Sequence, residues 1–127
     1  MTGLEIINQF YVPIIFRSFP EDLYPYLEKS NPLFAGIYHD EPFCLIGLVP
    51  QHVSGVAAIW GWNTPLVHEH PLIYARWAHR LIKRVHTLYP TIIGECSASK
   101  VKWLLSLGAD FLPRSNNMYL FRIEAPQ

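Results

Sequence analysis

The strongest constraint on this chain is an amphipathic segment held between two strand-like runs. From Pro71 to Leu88, the apolar residues Tyr74, Trp77, Ala78, Leu81, Val85 and Leu88 recur at helical spacing. Arg76, His79, Arg80, Lys83 and Arg84 fall mostly on the opposite side. Pro71 suits a first helical position, where its missing N–H costs nothing. Tyr89-Pro90 closes the helix. Gly55 to Trp62 before it and Thr91 to Cys96 after it are apolar runs of strand length. Val101, Leu104 and Leu105 then mark a second helix, capped by Ser97 or Ser99 and closed by Gly108 in a left-handed conformation. The stretch Val56 to Asp110 therefore reads as strand, loop, helix, strand, helix. Such a run fixes an α/β sheet on which the remaining residues must pack.

The flanking segments are read the same way. Leu4, Ile7, Phe10 or Tyr11, Ile14 and Ile15 are helically spaced, with Pro13 breaking the helix near Tyr11. Ser18 and Glu21 form a capping-box pattern for a helix over Glu21 to Glu28, made short or kinked by Pro25 and ended at Asn31-Pro32. Residues 1–32 are thus expected to be helical. Leu33 to Tyr38 and Phe43 to Val49 read as a hairpin around His39-Asp40-Glu41-Pro42, and Gly55 to Trp62 extends it to a meander. Asn63 to His70 reads as a loop. Phe111-Leu112 and Met118 to Ile123 read as closing strands, separated by a turn from Pro113 to Asn117.

A chain of 127 residues fits one domain. Half of the residues are apolar, which favours a packed core over disorder. Ten acidic and ten basic side chains balance, so there is no overall steering toward nucleic acid or an anionic membrane. Zero net charge also offers little repulsion against self-association or partner contacts. The start lacks a basic region and cleavage site, so no signal peptide is expected. No apolar run approaches the length of a membrane span. Cys44 and Cys96 sit in apolar strand-like runs and are expected to be buried free thiols.

The order helix, helix, hairpin, strand, helix, strand, helix, strand resembles the GNAT acetyltransferase fold. SASKVKWLLSLGADF is similar to that fold's fourth helix and its ending. The stretch AIWGWNTPLVHEHPLIYARWAHRLIKRVHTLYPTIIGEC resembles the GNAT-like proteins of tailed bacteriophages, a group that includes the internal virion protein A of T7-type phages. The resemblance covers roughly Leu33 to Phe121. It implies a single α/β (α+β) domain over residues 1–127, with a mixed, mostly antiparallel sheet flanked by helices on both faces. It also implies a phage-encoded virion or assembly component that meets other phage structural proteins or a host protein, in the virion or the host cytoplasm. An inhibitor of a host protein is a weaker variant of the same reading.

The family's chemistry maps onto few residues. GNAT enzymes hold the acetyl-CoA pyrophosphate on backbone N–H groups before the main helix, where a Gly-rich motif allows close approach. The corresponding stretch, Leu66 to Pro71, has no glycine, and Glu69 adds negative charge. The family's frequent acid, a Tyr four residues before the glycine, corresponds to Leu104. These departures lead to the expectation of no bound cofactor and no catalysis. If the chain is instead an acetyl-CoA-dependent N-acetyltransferase, Asn63, Thr64, Val67, His68 and Ser97 would contact the cofactor, and Glu69 or His70 would be the base. A metal held by His68, Glu69 and His70 with His79 or His86 lacks a diagnostic spacing, and none is assigned. Trp60 and Trp62 alternate around Gly61 and share a sheet face, as core residues if helices cover that face and as a partner anchor if it is exposed. With Arg76, Arg80 and Arg84 they form the candidate partner interface.

Overall fold

The computed structural model describes residues 2–112 and 118–126, so the expected Pro113 to Asn117 turn lies outside the described residues. The strands are β1 (Gly3–Ile6), β2 (Leu33–Tyr38), β3 (Glu41–Pro50), β4 (Val56–Asn63), β5 (Thr91–Ser97), β6 (Asp110–Leu112) and β7 (Met118–Glu124). The helices are α1 (Val12–Ile15), α2 (Tyr24–Lys29), α3 (Leu66–Glu69), α4 (Pro71–Val85) and α5 (Val101–Ser106). The seven strands form one sheet in the order β1-β2-β3-β4-β5-β7-β6. β1 with β2, β2 with β3, β5 with β7 and β6 with β7 are antiparallel, and β4 with β5 is parallel. The mixed, mostly antiparallel α/β sheet expected from the sequence is present.

By packing, the chain gathers into two compact units, Met1–Pro50 with Ile59–Ala78, and Gln51–Ala58 with His79–Gln127. In the first unit, Val12, Phe16, Phe19, Leu27, Leu33 and Leu45 are buried together. Trp60 and Trp62 pack against that cluster, half-buried. The β2–β3 hairpin turns at His39 and Asp40, both left-handed at φ 49° and 66°. His and Asp tolerate that region better than most side chains. Gly47 lies where a Cβ would run into Ser30 Oγ and the Trp60 indole, so this position in β3 admits no side chain. In the second unit, Val56–Ala58 pair with Thr91–Ile93. Ile92, Leu81, Val85, Leu104 and Ile123 are buried there.

The structure departs from the expected N-terminus. Gly3–Ile6 is an edge strand registered on Phe34–Ile37, and the first α-helix starts only at Val12. Apolar residues at helical spacing also suit a strand when a sheet edge is available, and pairing decided the outcome. Pro13 lies in the first turn of α1, where it starts the helix instead of breaking it. Pro20, not Ser18, precedes the turn at Glu21–Leu23, which has no side-chain cap. Pro25 likewise opens α2. The expected loop from Asn63 to His70 contains α3. Leu88 lies beyond α4 and is 56% exposed. In α5 only Leu104 is buried, while Leu105 faces solvent. Gly108 is left-handed at φ 89°, as its place after the helix requires. Cys44 and Cys96 are free and buried, as expected.

Candidate active site

The β4–α4 connection lies in the first unit and is held by one residue. The Thr64 N–H donates to Phe43 O at 3.0 Å, and its hydroxyl donates to Pro42 O at 2.9 Å or Phe43 O at 3.0 Å. Thr64 therefore fixes the end of β4 to the start of β3, and its hydroxyl is engaged there. After it the chain winds into α3. Val67 N–H donates to Thr64 O at 3.2 Å, His68 N–H to Pro65 O at 3.1 Å, and His70 N–H to Val67 O at 3.1 Å. These are the backbone groups that a phosphate nest would need. Here they satisfy their own turn. The side chain of Val67 is buried, and those of His68 and Glu69 are exposed.

The start of α4 is different. Tyr74 N–H donates to His70 O at 3.2 Å, so the turn before it leaves the Leu72 and Ile73 N–H groups without an intrahelical carbonyl. Fifteen residues of helix place a positive dipole end at that point. Arg76 is exposed one turn further along. Arg80 and Arg84 are also exposed and belong to the second unit.

Below the connection is an aromatic cluster. The His70 ring packs on Tyr38 with centroids 4.6 Å apart, and Tyr38 and Phe43 pack on Trp77. Burial pushes the Tyr74 phenol up to about 12, with the nearby Cys44 adding to the rise and a hydrogen bond from Asn63 opposing it. Burial also pushes the Cys44 thiol up to about 12. Asn63 Oδ1 is buried without a partner among the described residues. At neutral pH, Tyr74 and Cys44 are both uncharged and protonated.

The structure thus brings Asn63, Thr64, Val67, His68, Glu69 and His70 into one connection. Ser97 belongs to the second unit, where its hydroxyl bonds Ser99 Oγ at 2.8 Å. Trp60 and Trp62 are not a bare surface pair. Trp60 Nε1–H donates to Ser30 Oγ at 2.7 Å, and Trp62 packs edge-on against Phe16 and Phe19. Sequence reasoning missed the groove beside the connection. It is an open groove of about 740 Å³ walled by residues 14–18, the Ile37–Pro42 turn and the Thr64–Glu69 turn. No local motif signals it, because its walls come from three distant segments. Among the described residues no cluster of three or more His, Cys, Asp or Glu is placed to hold a metal, and no helix is long and apolar enough to cross a membrane.

Neither the family profiles nor the curated protein sequences compared with this chain give a match. Solved structures do. The Bacillus subtilis acetyltransferase in complex with CoA superposes with TM-score 0.71 at 12% identity, covering 99% of this chain and all (100%) of that one. The ribosomal-protein-S18-alanine N-acetyltransferase of Escherichia coli superposes with TM-score 0.75 at 13% identity, covering 100% of this chain and 96% of that one. A spermidine N-acetyltransferase variant from Vibrio cholerae gives 0.69 at 12% identity, covering 96% and 94%. The chain has the fold of the GNAT acetyltransferases. At these identities the likeness is one of fold.

Proposed function

We propose that this chain is an acyl-CoA-dependent N-acyltransferase that moves an acyl group from a thioester to an amine. The observation that carries the reading is the fold, matched over at least 96% of the chain by an acetyltransferase in complex with CoA and by two N-acetyltransferases. It takes up the enzymatic alternative in place of the non-catalytic, cofactor-free expectation drawn from the sequence. The residues fit a CoA diphosphate in part. The first turn of α4 suits it, with the Leu72 and Ile73 N–H groups, the helix dipole and Arg76. The turn from Thr64 to His70 suits it less, because its Thr64, Val67, His68 and His70 N–H groups are already bonded. Diphosphate affinity would therefore rest on α4 more than on the loop before it.

When bound, the thioester supplies an activated carbonyl and a thiolate leaving group. The chain's own contribution is to position the amine and take its proton, as the new C–N bond forms and the C–S bond breaks. Glu69 is exposed beside the groove and can receive that proton. His70 is held by Tyr38 and is the second candidate. Leu104 is buried and has no proton to give, so the departing thiolate takes one from solvent.

Two observations favour a second, non-catalytic reading, for which the sequence resemblance suggests a phage virion or assembly component. They are the helical turn in place of an open nest and the apolar Leu104. Acetyl-CoA titration separates the two readings. Binding followed by turnover of an amine supports the enzyme. No binding, together with recovery of the chain from purified phage particles, supports the structural component.

A further inference from the structure

We propose that Asn63 and Tyr74 are positioning residues for the acyl donor, their hydrogen bond holding the first turn of α4 against the end of β4. The proposal rests on the acyltransferase reading and deepens it, by naming what aims the donor's diphosphate site. Neither side chain touches the donor in this role.

Tyr74 is fixed at both ends. Its N–H donates to His70 O at 3.2 Å, which closes the first turn of α4 just after the Leu72 and Ile73 N–H groups. Its phenol lies largely out of water and accepts a hydrogen bond from the Asn63 carboxamide. Asn63 is the last residue of β4. It precedes Thr64, whose N–H and hydroxyl are bonded to the start of β3. The Tyr74 ring also packs on Phe43, with centroids 6.3 Å apart, and Phe43 O accepts from the Thr64 N–H. The start of β3, the end of β4 and the first turn of α4 are thus joined through these residues, all within the first unit.

The placing of that turn matters because of what it presents. Helix N–H groups bind a phosphate only where they point at it. The Thr64, Val67, His68 and His70 N–H groups are already bonded, and Pro71 has none to offer. The Leu72 and Ile73 N–H groups therefore carry most of the backbone contact, and little offsets a loss of aim there. The link is also a single one. Asn63 Oδ1 is buried without a partner among the described residues, so the carboxamide is held through its amide end. Removing either partner breaks the same bond, so the two side chains act as one unit.

Tyr74→Phe removes the phenol oxygen and keeps the ring on Phe43. Asn63→Leu removes the carboxamide at similar size. Acetyl-CoA is titrated into the full chain by calorimetry, and the amide signals of Leu72 and Ile73 are followed by NMR. Each variant is expected to bind about two- to tenfold more weakly, the worth of one hydrogen bond. The double variant is expected to lose no more than about twofold beyond either single one. At saturation, acetyl-CoA should move the Leu72 and Ile73 signals in wild type and move them by less than about half as much in the variants. Without ligand, the amide at position 74 should exchange faster in Asn63→Leu than in wild type, as the turn loosens. Unfolding midpoints check that the variants are folded. Unchanged affinity in both single variants overturns the proposal, as do full-size signal shifts in both. Losses that add in the double variant also overturn it, because they mark Asn63 as a direct contact to the donor. Wild type that binds no acetyl-CoA removes the acyltransferase reading and the positioning role with it. Wild type that binds, with variants that bind equally well, removes the positioning role alone.

Discussion

Gly47 shows how closely the first unit is fitted. A methyl group there would meet both Ser30 Oγ and the Trp60 indole, the two ends of one hydrogen bond. Gly47→Ala should cost about 1–3 kcal/mol through overpacking. Gly61→Ala is the comparison. Its Cβ would sit 3.7 Å from Leu45 O, an ordinary contact, so the change should stay within about 0.5 kcal/mol. Urea unfolding of both variants checks the difference, and equal losses would contradict the packing described. Cys44 and Tyr74 give a pH prediction. Their ordinary values of 9.0 and 10.0 are raised to about 12 by burial. The folded chain therefore holds these protons more tightly than the unfolded chain. Their stabilisation is complete below about pH 9 and is lost as pH climbs toward 12. Each group adds a slope of up to about 1.4 kcal/mol per pH unit across its window. Unfolding free energies at pH 8, 10 and 11 should fall in that order. Cys44→Ala should flatten the decline, whatever it costs in packing. An unchanged slope in that variant would show that the thiol does not titrate as described.

At the scale of elements, α4 carries the argument for phosphate binding. Removing the cation at Arg76 should weaken acetyl-CoA binding about two- to fivefold, as for an exposed charge pair. Glu69→Gln should act in the opposite direction, because it removes negative charge beside the same connection. That variant is thus expected to strengthen acetyl-CoA binding about twofold. Acetyl-CoA titration into both variants reads these signs, and the same sign in both would contradict a charge effect at this connection. α4 was legible in the sequence because its period is unbroken over fifteen residues and its first position is a proline. α3 was not, because four residues cannot display a period. β1 was read as helix for a related reason. Leu4 and Ile7 fit a helical spacing, and only the free edge of β2 makes Gly3–Ile6 extended. The loss of the glycine motif was visible in the residues. Its consequence, N–H groups closed into a helical turn, needed the backbone.

At the scale of the whole molecule, the element order from β2 onward, apart from α3, was recoverable from hydrophobic patterning, the fold class followed from the family resemblance, and the superpositions agree with that fold. The groove was not recoverable, since residues 14–18, 37–42 and 64–69 meet only after the chain folds. The candidate partner surface also changed character. Trp60 and Trp62 pack against the N-terminal core cluster, while Arg76, Arg80 and Arg84 remain exposed. The most direct test of the acyltransferase account is a calorimetric titration of the full chain with acetyl-CoA, followed by addition of 1,5-diaminopentane and assay of free thiol and acetylated amine. The account predicts a Kd tighter than about 100 μM, roughly −5.5 kcal/mol, and release of one thiol for each amide formed. No binding at millimolar acetyl-CoA, or binding with no amide formed from any primary amine supplied, would contradict it.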